Sequence, residues 1–462
     1  MDIGIFDEAA GISPDPFGDI RGVFLNFPCL GKVSRMNGLA RLAVSSGAVM
    51  APALAVAQTV GAGSSIVIEP QLDRDDVAGA RIEPAYRPRP ILVGPVFAQP
   101  SVSIVAGYDG NVFNRPDAKA AALATVMPSL ALRADLPRHE LDFSAAGTLR
   151  RFSRYRTENS AEFALAGHGR LDFGARHAAK VSIEFSHLIE PRSTAGSALD
   201  AAEPISYDRL AGDFGTRLEL GRFRLAPALR YERVDYDPVA LTGGGTADQS
   251  FRDTRTLRGE VRLDYDFSGL VSAFAAGAYE DIDSTSAPTA LRRDSRGYQV
   301  MVGLRGQLSP VISGEVGVGY QSRDYAPPAY RDFQGLTFRA DVQWYVTPLV
   351  TLRAQASRTF RNSGNLRVGG ILADAFMLSA YYDPLRNLRL SAVAGLERGD
   401  FSEADTRTWR KSMRLRAQYR LNRGVSVGAY VDFLRQEVRG APLVNPFTSF
   451  GAGLGITVTP GA

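Results

Sequence analysis

The chain has 462 residues, 45% of them hydrophobic and 22% charged, and a formal net charge of +4. So small an excess leaves no electrostatic footprint for nucleic acid, and beyond residue 57 no run of about 18 apolar residues offers a membrane-crossing helix. The single cysteine, Cys29, lies ahead of the expected cleavage point, which excludes disulfides, thiolate catalysis and cysteine-bound metal from the exported part.

Residues 1–57 read as an N-terminal extension plus a signal peptide. Within the signal, 36–57, the basic end is Arg35 and Arg41, the apolar run is 42–56, and Ala55-Val56-Ala57 has the small-x-small pattern of a secretory cleavage site. Cleavage after Ala57 would make Gln58 the mature N-terminus. Residues 1–35 carry five acidic residues, unlike an n-region, and are read as translation assigned from too early a start. Subtracting the four basic and five acidic residues of 1–57 moves the charge from +4 to +5. Residues 58–97 hold Pro70, Pro84, Pro88, Pro90 and Pro95, which suit neither a helix interior nor a central strand. They predict an extended periplasmic arm, either a linker or a segment that tucks into the body of the protein.

From residue 98 onward the chain alternates. Leu257, Gly259, Val261, Leu263, Tyr265 and Phe267 share one face of a strand, with Arg258, Glu260, Arg262, Asp264 and Asp266 on the other. A Ser268-Gly269 turn reverses it, and the return to Tyr279 alternates in small residues. Leu336 to Trp344, Leu388 to Leu396 and Met413 to Leu421 repeat the two-faced pattern. Strands of this length can cross a hydrocarbon layer, which takes about 9 to 11 tilted residues. Candidate strands between residues 100 and 459 number about eighteen, joined by short turns (Pro137-Arg138, Ala175-Arg176, Gly221, Ser268-Gly269, Ser309-Pro310, Thr347-Pro348, Asp383-Pro384-Leu385, Asn422-Arg423) that alternate with longer loops such as 191–206 and 238–249. The fold class is therefore all-β: a transmembrane, antiparallel, up-and-down β-barrel over residues 98–462, with short periplasmic turns and longer extracellular loops, in the cell outer membrane. A propeller would have no reason to alternate turn length. Aromatics at strand ends predict interfacial girdles: Phe223, Tyr265, Phe267, Trp344 and Tyr381 by the turns, and Tyr108, Tyr155, Tyr236, Tyr279, Tyr320 and Phe360 by the loops.

The run Gly107-Tyr108-Asp109-Gly110-Asn111-Val112-Phe113, with Glu190-Pro191-Arg192-Ser193, Glu203-Pro204 and Tyr207-Asp208-Arg209, resembles the putative β-barrel porin type 2 proteins of Gram-negative bacteria over about residues 96–462. The resemblance implies a barrel often found with exopolysaccharide synthesis and export. One departure is the ending Thr459-Pro460-Gly461-Ala462, where outer-membrane barrels usually close on an aromatic residue.

No catalytic or metal constellation emerges, so the chain is read as a non-enzyme without cofactor. His139, His168, His177 and His187 stand singly without metal spacing. Gly424-Val425-Ser426-Val427-Gly428 opens a strand, whereas a nucleophile elbow needs a strand-to-helix turn. The candidate site is the lumen, lined by Arg258, Glu260, Arg262, Asp264, Arg339, Asp341, Arg353, Arg410, Arg414, Arg416 and Arg420. These side chains form either an ion-pair lattice that stiffens the wall or an arginine-rich path for anions and acidic sugars. Arg262→Leu is accordingly expected to be far milder than Leu263→Arg. Arg150, Arg151, Arg154, Arg156, Arg292, Arg293 and Arg296 read as solvated loop charges. Expected partners are outer-membrane lipid and lipopolysaccharide, the barrel-assembly machinery and periplasmic polysaccharide-export proteins. Two functions compete: a conduit for polysaccharide or small solutes, and a closed structural barrel that anchors an assembly.

Overall fold

The computed structural model describes residues 77–136, 139–173, 177–194, 200–287, 292–441 and 443–461. The signal peptide, the extension before it, residues 58–76 of the arm and the turns at Pro137-Arg138 and Ala175-Arg176 lie outside the described residues.

Eighteen antiparallel strands close into a barrel. They are β1 (Val96–Asp109), β2 (Ala121–Asp135), β3 (His139–Phe152), β4 (Ser160–Phe173), β5 (His177–Ile189) and β6 (Ser206–Leu220). Then come β7 (Phe223–Tyr236), β8 (Thr254–Asp266), β9 (Val271–Ser284), β10 (Ser295–Ser309), β11 (Ile312–Tyr325) and β12 (Phe333–Thr347). The ring ends with β13 (Val350–Asn362), β14 (Gly370–Leu385), β15 (Leu388–Phe401), β16 (Thr406–Arg420), β17 (Val425–Gly440) and β18 (Phe447–Val458). Each strand pairs with its successor, and β1 pairs with β18 from Val102↔Val458 to Asp109↔Gly451. A three-residue strand, Ile91–Val93, pairs with Val96–Ala98, part of the length of β1 that β18 does not reach. That pairing shortens an open sheet edge, a liability that barrels manage by covering it.

Turn chemistry sets the hairpins. Gly269 has φ +71° at the reversal between β8 and β9, a conformation that favours glycine. The turn expected at Asp383-Pro384-Leu385 instead lies at residues 386–387, because β14 runs on to Leu385 across an irregularity in its pairing with β15 between Tyr382 and Leu385. Pro384 has no N–H for the ladder, so it sits at a break in register and does not end the strand. Gly424 follows a turn and leads into β17, so the Gly-x-Ser-x-Gly match has no helix behind it.

The barrel has no core in the usual sense; its apolar face points out. Leu257, Val261, Leu263, Leu336 and Leu415 are exposed, and their sequence neighbours Arg258, Arg262 and Arg414 are buried on the inner face. Register explains the small residues of β9. Arg262 lies opposite Ala226 and Ala276, and Glu260 opposite Ala228 and Ala278, so methyl groups leave the volume that long charged side chains occupy. On the outer face Tyr265 packs 5.0 Å from Phe223 and 5.1 Å from Phe267, a belt at the short-turn end. Tyr279 and Tyr298 form its counterpart by the loops at 5.3 Å. Three expected girdle members face elsewhere. Tyr236 is buried against Tyr207, Val234 and Val239. Tyr381 packs against the arm. Phe360 is buried because the β12–β13 ladder stops at Phe338↔Arg358, and beyond it the ring stacks on Phe333 at 4.3 Å.

The register corrects the expected mildness of Arg262→Leu. Arg262 donates to Glu315 at 2.8 and 3.1 Å and to Asp264 at 2.9 Å, and both carboxylates are at most 1% exposed. Removing the guanidinium takes these bonds from two buried carboxylates, with Arg305 left 3.9 Å from Asp264, and breaking a buried pair costs about 3 to 5 kcal/mol. Leu263→Arg should cost about 2 to 4 kcal/mol near the membrane midplane. Unfolding titrations of both variants in lipid vesicles should therefore give comparable losses, and Arg262→Leu with Glu315→Leu should recover part of the first.

Candidate functional site: the lumen and its two mouths

Alternation brings all the candidate lumen residues to the inner face, on four strands. On β8, Arg258 donates to Glu260 and Gln299 at 3.3 Å and to Glu280 at 3.5 Å, while Arg262 holds Asp264 and Glu315 and lies 4.0 Å over the Phe274 ring. Arg353 of β13 donates to Asp341 of β12 at 2.8 Å, and Gln355 to the same carboxylate at 3.2 Å. On β16, Arg414 donates to Asp432, and Arg410 to Gln436 at 3.0 Å. Arg339 is buried between Gly317 and Ser357 in the ladder, and Arg416 stands between Ser391 and Tyr430. Arg420 is buried at the end of β16, its main chain bonded to Asn387.

The arrangement is the ion-pair lattice more than a row of available arginines. It extends through residues that single-strand alternation did not single out: Arg209 with Glu184 at 3.0 Å and Glu232 at 2.8 Å, Arg150 with Glu162 at 2.5 Å, and Arg323 with Glu280. Glu280 and Glu315 sit in strands dominated by alanine and glycine, which read as small-residue filler until register sets them opposite arginines. Buried pairs gain Coulomb energy only to offset desolvation. What they supply here is a hydrophilic inner wall with fixed geometry. Arg150, expected in a solvated loop, is buried, and Arg293 is half-buried.

At the long-loop end, residues 190–194 and 200–205 fold inward. Arg410 donates to the Ser193 carbonyl at 3.4 Å, which joins the β5–β6 loop to β16 across the barrel. Glu190 accepts from Arg252 of the β7–β8 loop at 3.0 Å, and Arg192 donates to Glu158 of the β3–β4 loop at 3.1 Å. Arg252 lies 4.0 Å over the Tyr236 ring, which accounts for that tyrosine facing inward. Burial holds the Arg293 guanidinium below its usual range while it donates to the carbonyls of Ser363 and Asn365 in the β13–β14 loop. Burial also raises the Asp253 carboxyl, an effect opposed by the Tyr236 N–H it accepts at 2.8 Å. The loops therefore brace one another over the mouth.

At the short-turn end the arm enters the barrel. Val77, Ala78 and Ile82 are buried. Gly79 donates to Asp383 at 3.3 Å, and Arg389, paired with Asp383 at 3.0 Å, donates to the Arg81 carbonyl at 2.8 Å. Gly79 has φ +94°, and a Cβ there would stand 2.8 Å from the Tyr381 ring, so both backbone and space demand glycine. Residues 77–82 are thus seated against the inner wall, the tucked alternative to a plain linker.

Among the described residues no group of three or more His, Asp or Glu is placed to hold a metal ion. His187 contacts Asp208 at 2.7 Å and stacks on Phe163, and His177 accepts from the Glu219 N–H.

The profile of the family described as "Putative beta-barrel porin 2" matches residues 83–444. No curated protein matches the chain in sequence. Among solved structures it is similar to OpdO of Pseudomonas aeruginosa, with 13% identity, 78% of this chain and 97% of that one covered, and a TM-score of 0.42. The siderophore receptor PirA from Acinetobacter baumannii gives 7%, 79%, 80% and 0.44, and the FrpB iron transporter from Neisseria meningitidis 8%, 78%, 81% and 0.45. No ligand or activity of this chain follows from likenesses so distant.

The seat of the arm is testable by limited proteolysis of the folded barrel. Gly79→Val should expose the Arg81-Ile82 bond to trypsin and raise cleavage there several-fold, with the heat-modifiable gel mobility of the barrel unchanged. Equal cleavage in the wild type would show the arm unseated.

Proposed function

Because the chain belongs to the putative beta-barrel porin 2 family, we propose that it is an outer-membrane conduit serving polysaccharide export, closed at rest and opened by movement of the β5–β6 loop and the arm. The observation that carries this reading is the Arg410 to Ser193 contact, which takes a loop across a hydrophilic lumen. An aqueous path suits a hydrated polymer, and barrels of about 16 to 18 strands are wide enough for a water-filled channel. Residues 77–82 and the β5–β6 loop lie outside the barrel ladders, so both can leave the wall while Ile91–Val93 stays paired with β1. The short-turn end then faces the periplasm, where the arm would meet export components, and the long loops face outward.

A second reading is favoured by the same two obstructions: a closed barrel that anchors an assembly. Deleting the gene should abolish extracellular polymer, with recovery on return of the wild type. In planar bilayers the purified wild type should conduct rarely, and Arg410→Ala with Asp383→Asn should raise open probability at least tenfold. Normal polymer would refute export and, with a conducting barrel, leave a general channel. Silence from both barrels would establish the anchoring reading.

A further inference from the structure

The only non-glycine residues with positive φ among those described are Asn114, at φ 49°, and Tyr155, at φ 56°. They belong to different loops, β1–β2 and β3–β4, yet meet at one place: Phe113, the residue before Asn114, packs edge-on against Tyr155 with ring centroids 5.0 Å apart. Asparagine adopts left-handed backbone readily, but for Tyr155 it is unfavourable and persists where surrounding structure over-determines it, commonly at binding surfaces. Here the surroundings are identifiable. Asn111, 1% exposed, donates to the Arg115 carbonyl at 2.7 Å and to the Thr448 carbonyl at 3.0 Å, and accepts from the Arg115 N–H. Its own N–H goes to Asp109 at 2.8 Å, Gly110 donates to Phe450 at 2.8 Å, and Val112 donates to the Lys119 carbonyl at 2.9 Å. The run from Tyr108 to Phe113 thereby clasps β1 to β18 and projects Phe113 from a rigid base.

Charge around the pair has one sign. Arg115 and Lys119 lie 5.9 and 6.0 Å from the Phe113 ring. Arg154 and Arg156, both exposed, flank Tyr155 in sequence. Against these stands Asp117, exposed, whereas Glu158 is buried and held by Arg192. Both rings remain half-exposed.

We propose that Phe113 and Tyr155, ringed by Arg115, Lys119, Arg154 and Arg156, form a binding site for an anionic saccharide at the long-loop end of the barrel. An aromatic surface takes the C–H face of a pyranose, and guanidinium and ammonium groups take its carboxylate or phosphate through charge-assisted bonds. A preorganised pair of loops lowers the ordering cost of binding. The sugar could be a free acidic polymer or the headgroup of a glycolipid in the surrounding leaflet; the chemistry is shared. The site's role in transport rests on the export reading, while binding itself stands on the geometry above.

Calorimetry on the full chain in phospholipid nanodiscs tests it, with hexagalacturonate as the probe and maltohexaose as the neutral counterpart. Hexagalacturonate should bind and maltohexaose should not. Phe113→Ala should weaken binding at least tenfold, Phe113→Tyr should retain it, and Arg154→Gln with Arg156→Gln should weaken it and flatten its salt dependence, all with heat-modifiable mobility intact. The Arg154 and Arg156 changes touch exposed groups and serve if Phe113→Ala fails to fold. Discs containing lipopolysaccharide separate the sources: competition with hexagalacturonate in the wild type assigns the site to lipid-borne sugar, and undiminished binding assigns it to free polymer. Unchanged affinity in the folded variants, or equal binding of maltohexaose, would overturn the site. Lost export without binding would leave the transport reading and remove this one, and binding without an export defect would do the reverse.

Discussion

Backbone hydrogen bonding around a closed ring is the constraint on which the remaining features depend. Hydrocarbon offers no partner to an N–H or a carbonyl, so a sheet that crosses it must pair every strand on both sides. The ladder therefore becomes complete only when β18 returns to β1. That seam is short, from Val102 to Asp109, and it is reinforced at each end. Ile91–Val93 pairs with Val96–Ala98 of β1 at one end, and the Asn111 bond to Thr448 ties the other. The residues that carry the family resemblance near Tyr108 thus have a mechanical reason to be there.

Closure then dictates where charge goes. With one face given to lipid, alternation forces every intervening side chain inward, and the inner face of β8 receives Arg258, Glu260, Arg262 and Asp264 in succession. Unpaired, such groups would be prohibitively desolvated. Neighbouring strands answer with carboxylates at matching height, Glu280 on β9 and Glu315 on β11, and with alanines where volume is short. The consequence for transport is a wall that is hydrophilic and stiff. Outside the ladder, residues 190–194 and 200–205 and residues 77–82 of the arm rest against this wall through polar contacts of Arg410, Asp383 and Arg389 and through burial of Val77, Ala78, Ile82, Ala201 and Ile205.

The strand number, the alternation of short turns and long loops and the outward face of Leu263 were legible in the chain, because side-chain period and turn residues are local properties written in consecutive positions. Arg258 to Asp264 could be placed on the inner face for the same reason. Their partners could not. Glu315 is fifty-three residues from Arg262, and only the register of three intervening ladders puts it within reach. For that reason alternation alone left the arginines open to an ion-pair lattice or to an anion path, whereas the folded barrel pairs Arg262, Arg353 and Arg414 with carboxylates.

Tertiary structure alone decided what occupies the lumen. Proline composition predicts an extended 58–97, but the seating of Gly79 depends on Asp383, Arg389 and Tyr381 converging from β14 and β15. Likewise nothing near Ser193 foretells contact with Arg410, more than two hundred residues later and on the far side of the ring. Tyr236, Tyr381 and Phe360 were misplaced on the outside because an aromatic near a strand end carries no record of a cation, a glycine or a broken ladder beside it. Period and turn chemistry act over a few residues and determine the wall; closing eighteen strands into a ring creates the distances across it, and those distances determine what fills it.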